Sequence, residues 1–173
     1  MTSSYAQFAE QGKQAFQEKR FAEAARLFEQ AAAGYHADGD RLTAAEMQNN
    51  ASVALLQEGR AAESLEAALD TDKVFAEAGD FKRQGMALGN QAAALEALRR
   101  FEEAAHKYDL AARLFEQAGE DDLRALVMKS SAAVKLRGGN VTASAFKLIG
   151  WLDAKPNPNF FERILKFLMR FLK

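Results

Sequence analysis

Few side chains in this sequence have a type and spacing suited to catalysis or metal binding. There are two histidines, His36 and His106, and no cysteine. The histidines are too far apart to form the four-residue spacing on one helix that binds zinc. The carboxylates are spread over solvated helix faces without a distinct acid–base pair, and the glycines fall at helix ends or in packing positions. We therefore predict that the protein is not an enzyme and uses no metal or cofactor.

Side-chain amides offer a different chemistry. Asn50 and Asn90 are 40 residues apart, with Asn49 beside the first. An amide has both a donor and an acceptor, so it can bond the main chain of a bound peptide without reading its side chains. The alternative is that these amides bond neighbouring backbone inside the fold. Both interpretations are open from the sequence.

The amides belong to a 40-residue internal repeat. Ala-Asp-Gly-Asp at 37–40 is followed by Glu-Ala-Gly-Asp at 77–80 and Gln-Ala-Gly-Glu at 117–120. An arginine, then a glutamate three residues later, recurs with the same spacing, and a small residue follows the glutamate. Asn140-Val141 begins a partial fourth copy.

Each copy predicts two helices, because apolar residues recur at three- and four-residue steps and glycines mark the breaks. Gly39, Gly79 and Gly119 suit the left-handed residue that ends a helix, and the acid after each can cap the next helix. The predicted first helices are 3–18, 41–58, 81–98 and 121–137. The predicted second helices are 21–37, 61–77, 101–117 and 141–152.

Composition agrees with an all-α protein. The 173 residues include only two prolines and are rich in strong helix formers. The first residues lack a secretory signal, which predicts a cytoplasmic location. Residues 159–173 carry four basic side chains and one acid, leaving 19 basic and 23 acidic residues in 1–158. A mildly acidic body argues against nucleic-acid binding.

The columns of small and aromatic residues make the repeat specific. Copy one has Gly12, Phe21, Ala24, Phe28 and Ala31. Copy three has Ala92, Phe101, Ala104, Tyr108 and Ala111, whereas copy two is weaker, with Ser52, Ala61, Ser64, Ala68 and Thr71. This pattern resembles the tetratricopeptide repeat (TPR), in a long variety typical of bacteria. The usual proline near the end of the second helix is replaced by His36, Ala76 and Glu116, so that helix can run on to the glycine.

The resemblance implies a right-handed solenoid of antiparallel helix pairs whose concave groove binds a peptide or helix. The groove columns of the family, carried over residue by residue, fall on side chains that are mostly small, apolar or amide-bearing. The predicted groove residues are Lys13, Asn49, Asn50, Val53, Met86, Asn90, Ala93, Leu126, Lys129 and Ser130. Ala9, Met86 and Asn90 stand where some members clamp a chaperone's terminal carboxylate with basic side chains, so we do not predict a chaperone cofactor.

The C-terminal segment is the most amphipathic part of the sequence. We divide the chain into a repeat domain at 1–153, a Pro/Asn linker at 154–159 and a basic amphipathic helix at 160–173. Charged residues occupy one third of its helical wheel, and apolar residues fill the opposite side. The apolar residues are Phe160, Phe161, Ile164, Leu165, Phe167, Leu168, Phe171 and Leu172.

Three roles are open for this tail helix. It can cap the last repeat, lie in a groove of its own or a neighbouring molecule, or lie on a membrane surface. With four cationic side chains, membrane binding would be weak. The eight apolar residues favour a helix docked on protein, and the extended linker allows a tail-exchanged homodimer.

The sequence thus predicts a protein–protein interaction module or adaptor. The alternatives are a self-associating structural module, in which the tail fills a groove or forms a dimer, and a weak membrane-surface adaptor.

Overall fold

A computed structural model describes residues 3–139, and these residues form eight α-helices and no strand. The all-α fold class is therefore confirmed for this part of the chain. The helices are α1 (Ser4–Gln17), α2 (Phe21–Ala37), α3 (Arg41–Gln57), α4 (Ala61–Ala68), α5 (Thr71–Glu77), α6 (Phe81–Ala97), α7 (Phe101–Ala118) and α8 (Asp121–Arg137).

A left-handed residue recurs every 20 residues along the backbone. Residues 19, 39, 59, 79, 99, 119 and 139 all have φ between 60° and 84°. At the first six of these turns the following N–H bonds the carbonyl five residues earlier, as Asp40 does to Tyr35 over 2.9 Å. This is the Schellman ending of a helix. The backbone therefore repeats every 20 residues, half of the 40-residue sequence repeat, because the turn within a copy and the turn between copies have the same conformation.

The acids after the glycines behave differently from one another. Asp40 Oδ1 accepts from the Thr43 N–H at 3.0 Å and Asp80 Oδ1 from the Arg83 N–H at 2.8 Å, which confirms two of the predicted caps. Glu120 makes no side-chain cap, so that prediction is wrong. Its longer side chain reaches Lys82 Nζ instead, at 2.6 Å.

The small residues of the repeat lie where two helices come closest. Ala24 and Ala104 are completely buried. A Cβ atom added to Gly12 would lie 2.9 Å from the Phe28 ring, so only glycine fits there. In copy two, Ser52 and Ser64 occupy the equivalent small positions, and their hydroxyl oxygens are 3.0 Å apart in a buried hydrogen bond. Copy two therefore keeps the close approach with a polar contact.

The second helix of copy two is interrupted, contrary to the single helix predicted at 61–77. α4 ends at Ala68, Leu69 turns the chain with ψ of 137°, and Asp70 begins α5 from a left-handed conformation with φ of 61°. Ala68 stands where copies one and three have Phe28 and Tyr108. The long side chain of Gln91 reaches this place and donates to the Ala68 carbonyl at 2.9 Å. A carbonyl released by the break is thus satisfied by a neighbouring helix.

The core lies in two main clusters. One joins α1, α2 and α3, and the other joins α6, α7 and α8. A smaller cluster of Ala45, Phe75 and Ala87 lies between them. Helix α6 packs against α3, α4 and α5 as well as against α7, so it connects the two halves.

Several predicted segments lie outside the described residues. They are the second helix of copy four at 141–152, the linker at 154–159 and the amphipathic segment at 160–173.

Candidate functional site

Two cavities lie at equivalent places in the first and last parts of the described chain. The N-terminal cavity, of about 410 Å³, is formed by α1, α2 and α3. The C-terminal cavity, of about 310 Å³, is formed by α6, α7 and α8. The N-terminal cavity is lined by Lys13, Phe16, Gln17, Phe28, Glu46, Asn50 and Val53. The C-terminal cavity is lined by Met86, Gly89, Asn90, Ala93, Tyr108, Phe115, Leu123, Leu126, Val127 and Ser130.

The two linings correspond through two repeat lengths. Phe28 and Tyr108 form the aromatic wall of each cavity, and Asn50 and Ser130 supply a polar group at the same position. The main difference is charge. Lys13 and Glu46 in the N-terminal cavity are replaced by Ala93 and Leu126 in the C-terminal cavity.

Most of the predicted groove residues line these two cavities. Lys13, Asn50 and Val53 line the first. Met86, Asn90, Ala93, Leu126 and Ser130 line the second. Asn49 is buried at 8% exposure in the interior, and Lys129 is exposed on α8.

The N-terminal cavity has a charged rim. Lys13 Nζ lies 2.7 Å from Glu10 Oε1, and this hydrogen bond raises the pKa of Lys13. Glu46 Oε2 lies 3.3 Å from the Arg83 guanidinium. Among the described residues, the half-buried Asn50 amide has no side-chain hydrogen bond. It is therefore available to a ligand.

The C-terminal cavity is more apolar. Met86 is 46% exposed and Leu126 59% exposed, so both present hydrocarbon to solvent. The Tyr108 hydroxyl donates to Glu96 Oε2 at 3.1 Å, and burial together with this carboxylate raises the pKa of Tyr108. Its hydroxyl stays protonated at neutral pH and is already committed to Glu96.

The amide at Asn90 is bonded inside the fold. Its Nδ2 donates to Asn49 Oδ1 at 3.3 Å, and Asn49 Nδ2 in turn donates to the Ala45 carbonyl at 3.3 Å. The Thr71 hydroxyl oxygen lies 3.4 Å from the same Asn49 oxygen and donates to the closer Ala68 carbonyl at 2.8 Å. The Asn90 donor is therefore bonded inside the fold, which is the second of the two interpretations drawn from the sequence. Asn50 has no such contact among residues 3–139.

Gln91 is the residue that sequence reasoning missed. It is only 2% exposed, and its Nε2 donates both to the Ala68 carbonyl at 2.9 Å and to Asp72 Oδ1 at 2.8 Å. The column itself carries no signal, because copy one also has a glutamine there, Gln11, and that side chain is exposed. Copies two and four have Ala51 and Ser131 at this position.

A further cavity of about 600 Å³ lies between α2, α3 and α4, away from the predicted groove columns. Glu29, Glu63 and Glu66 make its lining acidic, and His36 lies at its edge. The Arg60 guanidinium bonds the Glu63 carboxylate and lowers its pKa. Within residues 3–139, no group of three or more histidine and acidic side chains is placed to hold a metal ion.

Comparison with known proteins adds no relative. No family model, curated protein or solved structure matches the chain. None of the helices within residues 3–139 combines the length and the apolar character needed to cross a bilayer.

Proposed function

We propose that this chain is a protein-binding module built from TPR-like helix pairs and that it holds a peptide or helix in a groove running over the two cavities. The helix pairs stack as a right-handed solenoid, and the first helix of each pair lines the groove. The module acts by binding rather than by catalysis.

The observation that carries this proposal is the correspondence of the two cavities. Both have an aromatic wall, a polar group contributed by Asn50 or Ser130, and an open side. A surface that recurs two repeat lengths along the chain offers similar contacts at two places, which suits an elongated ligand. A small molecule would need only one of the two cavities.

The chemistry of the lining supports a peptide as the ligand. Phe16, Phe28 and Val53 supply apolar contact beside the Asn50 amide. That amide can donate to a peptide carbonyl and accept from a peptide N–H at once. A helix laid in the groove would place its apolar residues over the same wall.

The test begins with a peptide selected from a random library against the full chain. Asn50→Ala should then lower the affinity of that peptide about 5- to 30-fold, because one or two hydrogen bonds of roughly 1 kcal/mol each are lost. The melting temperature should change little, since the Asn50 side chain bonds no described residue.

The matched control is Gln48→Ala. Gln48 is an exposed amide on the same helix, but it lines the acidic cavity between α2, α3 and α4. Its loss should leave peptide affinity unchanged. If the two substitutions lowered peptide affinity equally, the assignment of Asn50 to the groove would be contradicted.

A further inference from the structure

One column of the repeat lines the two cavities in copies two, three and four. Glu46 occupies it in copy two, Met86 in copy three and Leu126 in copy four. Met86 is 46% exposed and Leu126 is 59% exposed. The C-terminal cavity thus has two large, solvent-exposed apolar side chains on its rim. The N-terminal cavity has a carboxylate at the equivalent position. Such a pair marks a binding surface.

We propose that this apolar surface is the docking site of the chain's own residues 160–173. These residues carry eight apolar side chains on one side of the predicted helix, from Phe160 to Leu172. Burying them against Met86 and Leu126 removes both apolar surfaces from water together. The tail then competes with the proposed peptide for the C-terminal cavity, and in this respect the inference rests on the proposed function.

A second apolar face of α8 is also exposed within the described residues. Met128 is 52% exposed, yet its counterpart Leu88 in α6 is 4% exposed, and Ala92 one turn later is fully buried. Leu88 and Ala92 pack in one cluster with α7 residues. By the same register, we expect residues 141–152 to cover the Met128 face. The repeat therefore accounts for that face and leaves the cavity column for the tail.

The chain is long enough to make this connection. Gly139 is the last described residue, and α8 ends just before it, at Arg137. The stretch from 140 to 159 connects it to the tail and, when extended, can span up to roughly 66 Å. The distance back along α8 from Arg137 to Leu126 is only about 17 Å, because each helical residue rises about 1.5 Å. The tail can therefore reach Leu126.

The N-terminal cavity suits this tail less well. It holds Lys13 and Glu46, whose charges would be buried against an apolar helix. Burying charge without new partners is unfavourable. The proposal therefore places the tail in one cavity and leaves the other open.

Disulfide trapping in the full chain tests this placement, and the natural sequence has no cysteine to interfere. Leu126→Cys is combined in turn with Ile164→Cys, Leu168→Cys and Phe171→Cys and then oxidised. At least one pair should give a cross-link within a single molecule, seen by mass at monomer size and reversed by reductant. Val53→Cys with the same three partners is the control and should give none.

Three results would overturn the proposal. They are no cross-link to position 126, equal cross-linking to position 53, and cross-links only between two molecules, which would indicate exchange of tails. A membrane role would also overturn it. In that case the full chain would sediment with anionic phospholipid vesicles, and a cysteine placed in the tail would be protected from a thiol reagent only when vesicles are present.

Leu168→Glu separates this inference from the proposed function. If the tail fills the cavity nine-tenths of the time, releasing it should raise the affinity for a selected groove peptide about tenfold. If the tail cross-links but neither the natural protein nor the Leu168→Glu variant binds peptide, tail docking is supported and the peptide-binding function is contradicted. If no cross-link forms and the two proteins bind peptide equally well, the peptide-binding function is supported and tail docking is contradicted.

Discussion

Three residues with side chains adopt the left-handed conformation in the described chain: Lys19, Asp70 and Arg99. Lys19 and Arg99 end the first helices of copies one and three, where copy two uses Gly59. A side chain in this region is destabilised by roughly 1 to 2 kcal/mol through contact of its Cβ with the backbone. The repeat thus tolerates strain where a glycine would fit.

Lys19→Gly should stabilise the protein by about 0.5 to 1 kcal/mol, because the relief of strain exceeds the added entropy of the unfolded glycine. Lys19 is exposed, so little packing is lost. Urea unfolding measures the change. Gly59→Ala at the equivalent position should destabilise by a similar amount, and a stabilising Gly59→Ala would contradict the explanation.

Two helices of the described chain, α3 and α6, are capped by a short acid. Asp80 accepts from the Arg83 backbone N–H at 2.8 Å and pairs with its guanidinium at 2.7 Å. These bonds lower the pKa of Asp80 below its usual 3.8, with the backbone bond as the main cause. The depressed pKa means that the folded state favours the ionised acid. Its contribution to stability is therefore present above about pH 4 and is lost as the pH falls below that value.

Asp80→Ala should cost about 1 kcal/mol at pH 7 and much less at pH 3. Asp80→Asn keeps an oxygen acceptor for the cap but cannot ionise, so its cost should be smaller at pH 7. Urea unfolding of the three proteins at both pH values checks this. A cost for Asp80→Ala that is equal at pH 3 and pH 7 would show that the charge has no part in the cap.

The two halves of the core are joined where α6 packs against α4 and α5 of copy two. Gln91 on α6 reaches the end of α4 and the start of α5, bonding Ala68 and Asp72. The buried amide therefore bonds both sides of the break in the second helix. The joint between the halves combines these polar contacts with the small apolar cluster of Ala45, Phe75 and Ala87.

Gln91→Leu keeps the approximate volume of the side chain but removes both hydrogen bonds. It should destabilise the protein by about 1 to 3 kcal/mol, because the buried Ala68 carbonyl and the half-buried Asp72 carboxylate each lose a donor. Gln84→Leu is the control on the same helix, since the Gln84 side chain makes no hydrogen bond to any of residues 3–139. Its effect should stay within about 0.5 kcal/mol. Equal unfolding midpoints for Gln91→Leu and the natural protein would show that the joint adds no stability.

Local signals in the sequence were enough for most of the helices. The 40-residue period and the glycines at 39, 79 and 119 placed the breaks. Six described helices agree with the predicted bounds to within one residue at each end, and α4 and α5 are two parts of one predicted helix. Apolar spacing and left-handed turns act over a few residues, so one copy suffices to recognise them. The positions of Ala24 and Ala104 in the core followed from the same register.

Contacts between copies were decided only by the tertiary structure. The carbonyl at the break after Ala68 is bonded by Gln91, which is 23 residues away, and Asn90 is bonded to Asn49, which is 41 residues away. Asn50 and Asn90 look equivalent in the sequence, yet only Asn90 lies beside the Asn49 oxygen. Residues at equivalent positions of the repeat have the same orientation within their own helix pair. The side chain that each of them contacts in the next copy is set by packing between helices, and no local pattern in the sequence carries that information.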